Sequence, residues 1–209
     1  MTGGLAGTDQ PAVFVVDDDP AVCRAISAGI VQVLGLPVHA YSSAEEFLAD
    51  FDRRRPGCLI VDIKMPGMTG LDLQAALRER GGQLPIIVIS GHAEVPTAVA
   101  AMRGGALVLL EKPFDMRQLE EHVRHALAID AEARDEVRHR DLVAARAKLL
   151  TDREREVMEL LVAGKTNKET SLALGVSTAT VDKHRWKIFE KMQVDNVVEL
   201  VRLVGYARR

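Results

Sequence analysis

Four short stretches of this 209-residue chain carry side chains suited to handling a phosphoryl group. Val16-Asp17-Asp18-Asp19-Pro20 and Ile60-Val61-Asp62 end apolar runs in carboxylates, Ser90-Gly91 ends a third run in a hydroxyl, and Glu111-Lys112-Pro113 follows a fourth. Three carboxylates, Asp17, Asp18 and Asp62, repel one another in a single crevice unless a cation stands among them. Oxygen-only ligands with open positions suit Mg²⁺, which keeps several waters and usually takes one or two protein carboxylates. Lys112 adds a point charge for a phosphoryl group, Ser90 adds a donor, and Gly91 leaves room above the site. Asp19 reads differently: an Asp just before Pro20 is a helix N-cap with proline at the first helical position.

These groups need a scaffold that brings strand ends together. The first 127 residues repeat a short β-branched run, a turn and an amphipathic segment. The runs are Ala12–Val16, Pro37–Ala40, Cys58–Val61, Pro85–Ile89 and Ala106–Leu110, with helical patterns near 20–34, 43–52, 70–79, 94–104 and 115–127. Alternation at this spacing predicts a parallel sheet covered on both faces. Right-handed crossovers leave few topologies, among them the flavodoxin-like order 2-1-3-4-5, whose chemistry gathers at the carboxyl ends of the strands.

Strand signals stop near residue 128. Residues 128–148 are rich in Ala, Glu and Arg and hold no Gly or Pro, so they read as a helical linker. Leu119, Val123, Ala126, Ala133 and Val137 form a rough heptad stripe that Asp130 and Arg140 interrupt. Two readings stay open for it, a continuous dimer-forming helix or a solvated spacer. Thr151 and Glu154 then form a capping box, and Gly164, Gly175 and the 194–196 turn divide the remainder into four short helices. The expected divisions are a flexible leader over 1–10, a first domain over 11–127, the linker over 128–148 and a second domain over 149–209.

Charge is divided as the domains are. The net charge of −3 resolves into −6 over residues 1–130 and +3 over 131–209. A mildly basic second half fits nucleic-acid contact there without establishing it. At 47% hydrophobic and 27% charged, the composition excludes general disorder and collagen-like repeats. Cys23 and Cys58 form no metal-type pair, which favours a reducing compartment. No run approaches the ~18–20 apolar residues that span a bilayer. The first ten residues lack a signal-peptide pattern. A cytoplasmic protein without a membrane role is the expectation.

Residues 11–127 resemble the receiver domain of bacterial two-component response regulators through VVDDDP, LIVDIKMPGMTGLDL, IIVISGHAEVP and LLEKPF, in that order. The resemblance implies that Asp62 accepts a phosphoryl group from a sensor histidine kinase. It also implies that Asp17, Asp18, Asp62 and the backbone carbonyl of Lys64 hold Mg²⁺, that Ser90 and Lys112 contact the phosphoryl oxygens, and that the peptide before Pro113 is cis. One position departs from the family. Leu109 stands where receivers commonly carry Tyr or Phe, so switching falls to Ser90, the 91–96 loop and the fourth helix.

Residues 150–204 resemble the helix-turn-helix domain of the LuxR/NarL group, and the pairing with a receiver resembles its FixJ-like branch. DREREV, Gly-Lys-Thr-Asn-Lys, Leu-Gly-Val-Ser, Thr-Val-x-x-His and Lys-Met carry this likeness. A helix capped by Ser177 and running to Met192 turns Val181, Ile188 and Met192 inward and Asp182, Lys183 and Trp186 outward. Base reading is assigned to Asp182, Lys183 and Trp186, and phosphate contact to Lys165, Asn167, Lys168, Thr180, His184 and Lys187. Asp182, where lysine is frequent, either accepts from a cytosine amino group or lies on a solvated face. Trp186 either reads a base or covers a neighbouring helix. Thr170-Ser171 replace a commoner Ile-Ala pair. The last helix resembles the family's dimerisation element, with Val197, Leu200 and Val201 as its apolar surface.

The resulting expectation is a phosphorylation-controlled transcription regulator. It would bind double-stranded DNA with paired half-sites as a homodimer formed on phosphorylation, with RNA polymerase as a further partner. An aspartyl-phosphate phosphatase is a competing class, but such enzymes usually carry a second Asp two residues after the nucleophile, where Lys64 stands. The chain is therefore expected not to be an enzyme beyond its own phosphoryl transfer and slow dephosphorylation. A constitutive DNA-binding protein with a vestigial receiver is the other alternative, kept open by Leu109.

Overall fold

The computed structural model describes residues 10–92 and 94–207, with side chains to 205 in the last helix. The leader expected over 1–10 therefore lies almost wholly outside the described residues. Five strands, β1 (Ala12–Val16), β2 (Val38–Tyr41), β3 (Gly57–Asp62), β4 (Ile86–Ser90) and β5 (Ala106–Glu111), form one parallel sheet in the order β2-β1-β3-β4-β5. Helices α1 (Pro20–Leu34), α2 (Ala44–Asp50), α3 (Gly70–Glu79) and α4 (Val95–Arg103) alternate with the strands. After β5 come α5 (Met116–Ala147), α6 (Asp152–Val162), α7 (Asn167–Leu174), α8 (Thr178–Met192) and α9 (Val197–Ala207).

The sheet separates two cores because successive strand residues face opposite ways. Phe14, Val16, Leu59, Val61 and Val88 join Phe47, Leu73, Leu77 and Ala101 on one face. Val13, Val15, Ile60, Ile87 and Ile89 join Ile26, Ile30, Leu119, Val123 and Ala126 on the other. β1, β3 and β4 are buried throughout, as continuous apolar runs require. β2 is an edge strand with His39 and Ala40 exposed, and it starts one residue later than expected. Pro37 has no N–H to donate but still accepts from the Val13 amide through its carbonyl.

Two buried polar groups tie helices to this scaffold. Gln74 of α3 donates to the Ala101 carbonyl of α4 at 3.0 Å, and a Cβ at Gly104 would lie 2.4 Å from its Oε1. Asp130 of α5 accepts from the Gly57 amide at 2.8 Å, at the start of β3. Asp130 thus extends the receiver beyond 127 rather than interrupting a coiled-coil stripe. Contacts divide the chain into two compact units at Glu132/Ala133.

The linker expectation is corrected in its second half. α5 runs unbroken to Ala147, and Val143 is buried with Val157, Met158, Leu161, Ile188 and Met192 in the core of the second unit. Arg146 donates to the Met192 carbonyl at 2.9 Å, and a ring nitrogen of His139 lies 3.0 Å from the Leu203 carbonyl. Residues that composition marks as spacer are part of that domain because their apolar and long polar side chains find partners on α8 and α9.

Candidate functional site

Strand register builds the acidic site. Val16 pairs with Val61, so Asp17 and Asp62 leave adjacent strands at the same level. Ser90 pairs with Glu111, which sets Lys112 one residue beyond, and the Lys112 amide donates to the Ser90 carbonyl at 2.7 Å. The Lys112–Pro113 peptide is cis. Lys112 Nζ reaches both carboxylates, 2.6 Å from Asp17 Oδ2 and 2.7 Å from Asp62 Oδ1. Asp17 Oδ1 accepts from the Asp19 amide at 2.8 Å, and Asp62 Oδ2 from the Lys64 amide at 2.6 Å.

Burial pushes the Asp17 carboxyl upward by more than Lys112 and the Asp19 amide pull it down. Burial also works to lower the Lys112 pKa, but its hydrogen bonds to the two carboxylates outweigh that and raise it. Asp18 is exposed beside this buried pair, and Asp19 caps α1 by accepting from the Ala21 amide at 2.7 Å. Among the described residues no three His, Cys, Asp or Glu side chains stand close enough to hold a metal, so the expected convergence of three carboxylates is not what the structure shows. The Lys112 ammonium stands between two of them instead.

Ser90 is buried, and its hydroxyl is committed to its own loop. Oγ donates to the His92 carbonyl at 2.9 Å and accepts from the His92 amide at 3.2 Å. Leu109 is half-buried against the core on the α2–α4 face of the sheet. Cys23 and Cys58 are buried free thiols, and burial pushes Cys58 up to about 12.

In the second unit, Thr151 and Thr166 each open a helix with a full capping box, and Ser177 caps α8 through the Thr180 amide. Gly175 ends α7 in the left-handed region at φ 64°, which a glycine adopts without Cβ strain and which permits the tight α7–α8 turn. Val181, Ile188 and Met192 are fully buried, while Asp182, Lys183, Trp186 and Lys187 are exposed along the opposite face of α8. Trp186 is 66% exposed, so it does not cover a neighbouring helix.

The receiver domain of response regulators matches residues 13–124, and the luxR family of bacterial regulatory proteins matches residues 148–204. The chain belongs to the response regulators. It is similar to the response regulator protein TodT of Pseudomonas putida, 41% identical over 204 residues that cover 97% of this chain and 89% of TodT. The transcriptional regulatory protein FixJ of Azorhizobium caulinodans is 40% identical over 194 residues, covering 91% and 90% of the two chains. Among solved structures, the response regulator StyR matches with a TM-score of 0.83 at 35% identity, covering 94% of this chain and 98% of StyR.

In the DNA-binding domain of this response regulator, several of the expected contact residues have partners within the domain. Leu200 is fully buried in the domain core and so offers no dimer surface, whereas Val197 is half-buried with one side packed against that core. Val201 does stay exposed, and Val198 beside it is more exposed still. Asn167, expected at a phosphate, instead gives both ends of its amide to α8: Nδ2 donates to Asp182, and Oδ1 accepts from Arg185 at 2.6 Å. Thr180 shares a 2.8 Å hydrogen bond with the Ser177 hydroxyl, and Nδ1 of half-buried His184 is enclosed without a partner among the described residues. Lys165, Lys168, Lys183 and Lys187 are all exposed, and Lys165 lies 3.6 Å from Glu169. Arg185 was missed because its side chain looks, in sequence, like one more surface cation.

Proposed function

We propose that this response regulator takes a phosphoryl group from a sensor histidine kinase on Asp62 and thereby controls its dimerisation and its binding to DNA. The observation that supports the reading best is the Lys112 ammonium within hydrogen-bond distance of both Asp17 and Asp62 at register-matched strand ends. An Asp62 oxygen attacks the phosphorus of phosphohistidine, the O–P bond forms, the P–N bond breaks, and the imidazole leaves with the bond's electron pair. There is little covalent work for the protein beyond this, so rate comes from positioning and electrostatics. Lys112 lies where charge on the transferred group would gather.

The chemistry of the donors suits Mg²⁺: Asp17, Asp18, Asp62 and the Lys64 carbonyl would hold it as hard oxygen ligands once the exposed Asp18 turned in beside the Lys112-bridged pair, and their three carboxylates exceed the single positive charge of Lys112. When bound, Mg²⁺ supplies charge neutralisation at the phosphoryl oxygens. Ser90, released from His92, donates to the new phosphate and draws the 91–96 loop and the start of α4 after it.

The dimer places two helix-turn-helix domains on paired half-sites in double-stranded DNA, where RNA polymerase is the further partner. The protein acts in the cytoplasm, beside the DNA, and catalyses nothing beyond its own phosphoryl transfer and slow dephosphorylation. Among the described residues no helix is long and apolar enough to cross a membrane. The test is incubation with acetyl phosphate. One phosphoryl group per chain without continued turnover is expected, and catalytic release of phosphate would overturn the regulator reading in favour of an enzyme. DNA capture with and without the phosphoryl donor tests control of binding.

A further inference from the structure

The exposed face of α8 carries an acid where DNA presents acids of its own. Asp182 is exposed, in the second turn of the helix, between the outward-facing Thr178, Lys183 and Trp186. A free carboxylate there would only repel phosphates, yet the structure holds this one in place. Asn167, the first residue of α7, donates from Nδ2 to Asp182 Oδ1. Its own Oδ1 accepts from Arg185 Nη1 at 2.6 Å, and Arg185 lies 4.0 Å from Asp182 Oδ1. The amide can face only one way, because a carboxylate only accepts and a guanidinium only donates. Arg185 is fixed in turn, with its guanidinium 5.6 Å from the centre of the Phe189 ring.

We propose that Asn167 and Arg185 are positioning residues that fix Asp182 as an acceptor for an exocyclic amino group in the major groove. This rests on the DNA-binding reading above. Asp182 Oδ1 is engaged, so Oδ2 carries the acceptor capacity left for a base. Cytosine N4 and adenine N6 present donors in the major groove, whereas guanine O6 and N7 and thymine O4 present acceptors that a carboxylate repels. An acid is the accepted partner for cytosine, so Asp182 selects a C·G pair at one position of each half-site. Holding the carboxylate in one rotamer before DNA arrives reduces the side-chain entropy lost on binding. The partial charge compensation by Arg185 limits repulsion from the flanking phosphates. Asn167 therefore contributes to sequence choice without touching DNA.

The test is enrichment of a randomised duplex library by the full chain, comparing wild type with Asp182→Asn, Asn167→Ala and Arg185→Lys. Asp182→Asn identifies the position by changing its preferred base from cytosine toward adenine, which asparagine reads through N6 and N7. Asn167→Ala is expected to lower discrimination at that same position about fivefold to tenfold and to leave the other positions unchanged. Arg185→Lys keeps the charge but loses the forked donor, and should relax the same position if Asn167→Ala proves unstable in a thermal melt. A uniform loss of affinity with the wild-type base profile intact, in either variant, would overturn the positioning role. If the wild-type chain enriches no sequence at all, the DNA-binding reading itself fails, and this inference with it.

Discussion

The Lys112 ammonium lies 2.7 Å from Asp62 Oδ1, although the two residues leave strands separated by β4. The contact spans the C-terminal edge of the sheet, and Asp17 completes it from the other side of Asp62. Replacing Asp62 by asparagine keeps the shape and removes the proposed nucleophile. Asp62→Asn is expected to form no hydroxylamine-sensitive acyl phosphate from acetyl phosphate or kinase, and chelation of Mg²⁺ should abolish labelling of the wild type. Labelling of Asp62→Asn at the wild-type level would show that the acceptor lies elsewhere.

The Ser90 hydroxyl makes both of its hydrogen bonds to the His92 backbone, so moving it toward a phosphate releases the loop. A ligand shifts a two-state equilibrium only through its differential interaction with the two states, and in the proposed switch that difference comes from Ser90. With beryllofluoride as phosphoryl mimic, sedimentation should show dimer for wild type and for Leu109→Ala, but mainly monomer for Ser90→Ala. Full dimerisation of the unmodified protein would remove the switch.

Lys183 and Lys168 are both exposed but sit on different helices, and they should separate base reading from phosphate contact. Lys183→Ala should cost ~1–3 kcal/mol on a cognate site and less on scrambled DNA. Lys168→Ala should weaken both equally and reduce the salt dependence by about one phosphate contact. Titrations at several salt concentrations decide it. Equal losses for Lys183→Ala on both sequences would end its base-reading role.

Glu154 is buried at the start of α6, where Lys191 Nζ reaches it at 2.6 Å and the Thr151 amide at 2.9 Å. Burial works against its carboxylate, but these partners outweigh that and bring its pKa from an ordinary 4.5 down to about 2. A depressed carboxylate pKa gives stability that is fully present above the unfolded value and is lost as protons bind the folded state. The helix-turn-helix domain should therefore melt at progressively lower temperature as pH falls from about 4.5 toward about 2. Glu154→Gln should melt lower at neutral pH and show a flatter acid limb; an acid limb as steep as wild type would assign the loss to other groups.

Thr170 is fully buried in α7, and among the described residues its hydroxyl has no partner. A buried polar atom without a partner costs about 1–3 kcal/mol, and valine has the same shape without the oxygen. Thr170→Val should stabilise the protein by about 1 kcal/mol in chemical denaturation, and a loss of stability would show that the hydroxyl is satisfied in solution.

The pairing of Asp17, Asp62 and Lys112 was legible in the sequence because each stands within two residues of the end of an apolar run, and parallel register carries such positions to one edge. Asp19 was legible for a local reason, its place before Pro20. Contacts across long stretches of chain were not. Asp130 looked like a break in a stripe, since nothing near it in sequence announces the Gly57 amide that it accepts from. The apolar period of α9 is visible, but period alone does not say whether the stripe meets a partner or its own domain. Leu200 faces inward and Val201, one residue on, faces out. Asn167 and Arg185 likewise meet only after the α7–α8 turn folds back.

Gln74 and Gly104 share one space, the side-chain amide of the first occupying the volume that a Cβ on the second would need. A change at either position therefore falls on the hydrogen bond that Gln74 makes to Ala101. An alanine at 104 would expel the amide and strip the Ala101 carbonyl of its buried donor, while a shorter residue at 74 would leave a hole beneath α4. A paired exchange, smaller at 74 with larger at 104, would keep the space filled. The C-terminal end of α4 is thereby tied to α3 through the Ala101 carbonyl, while the proposed switch would act on its other end.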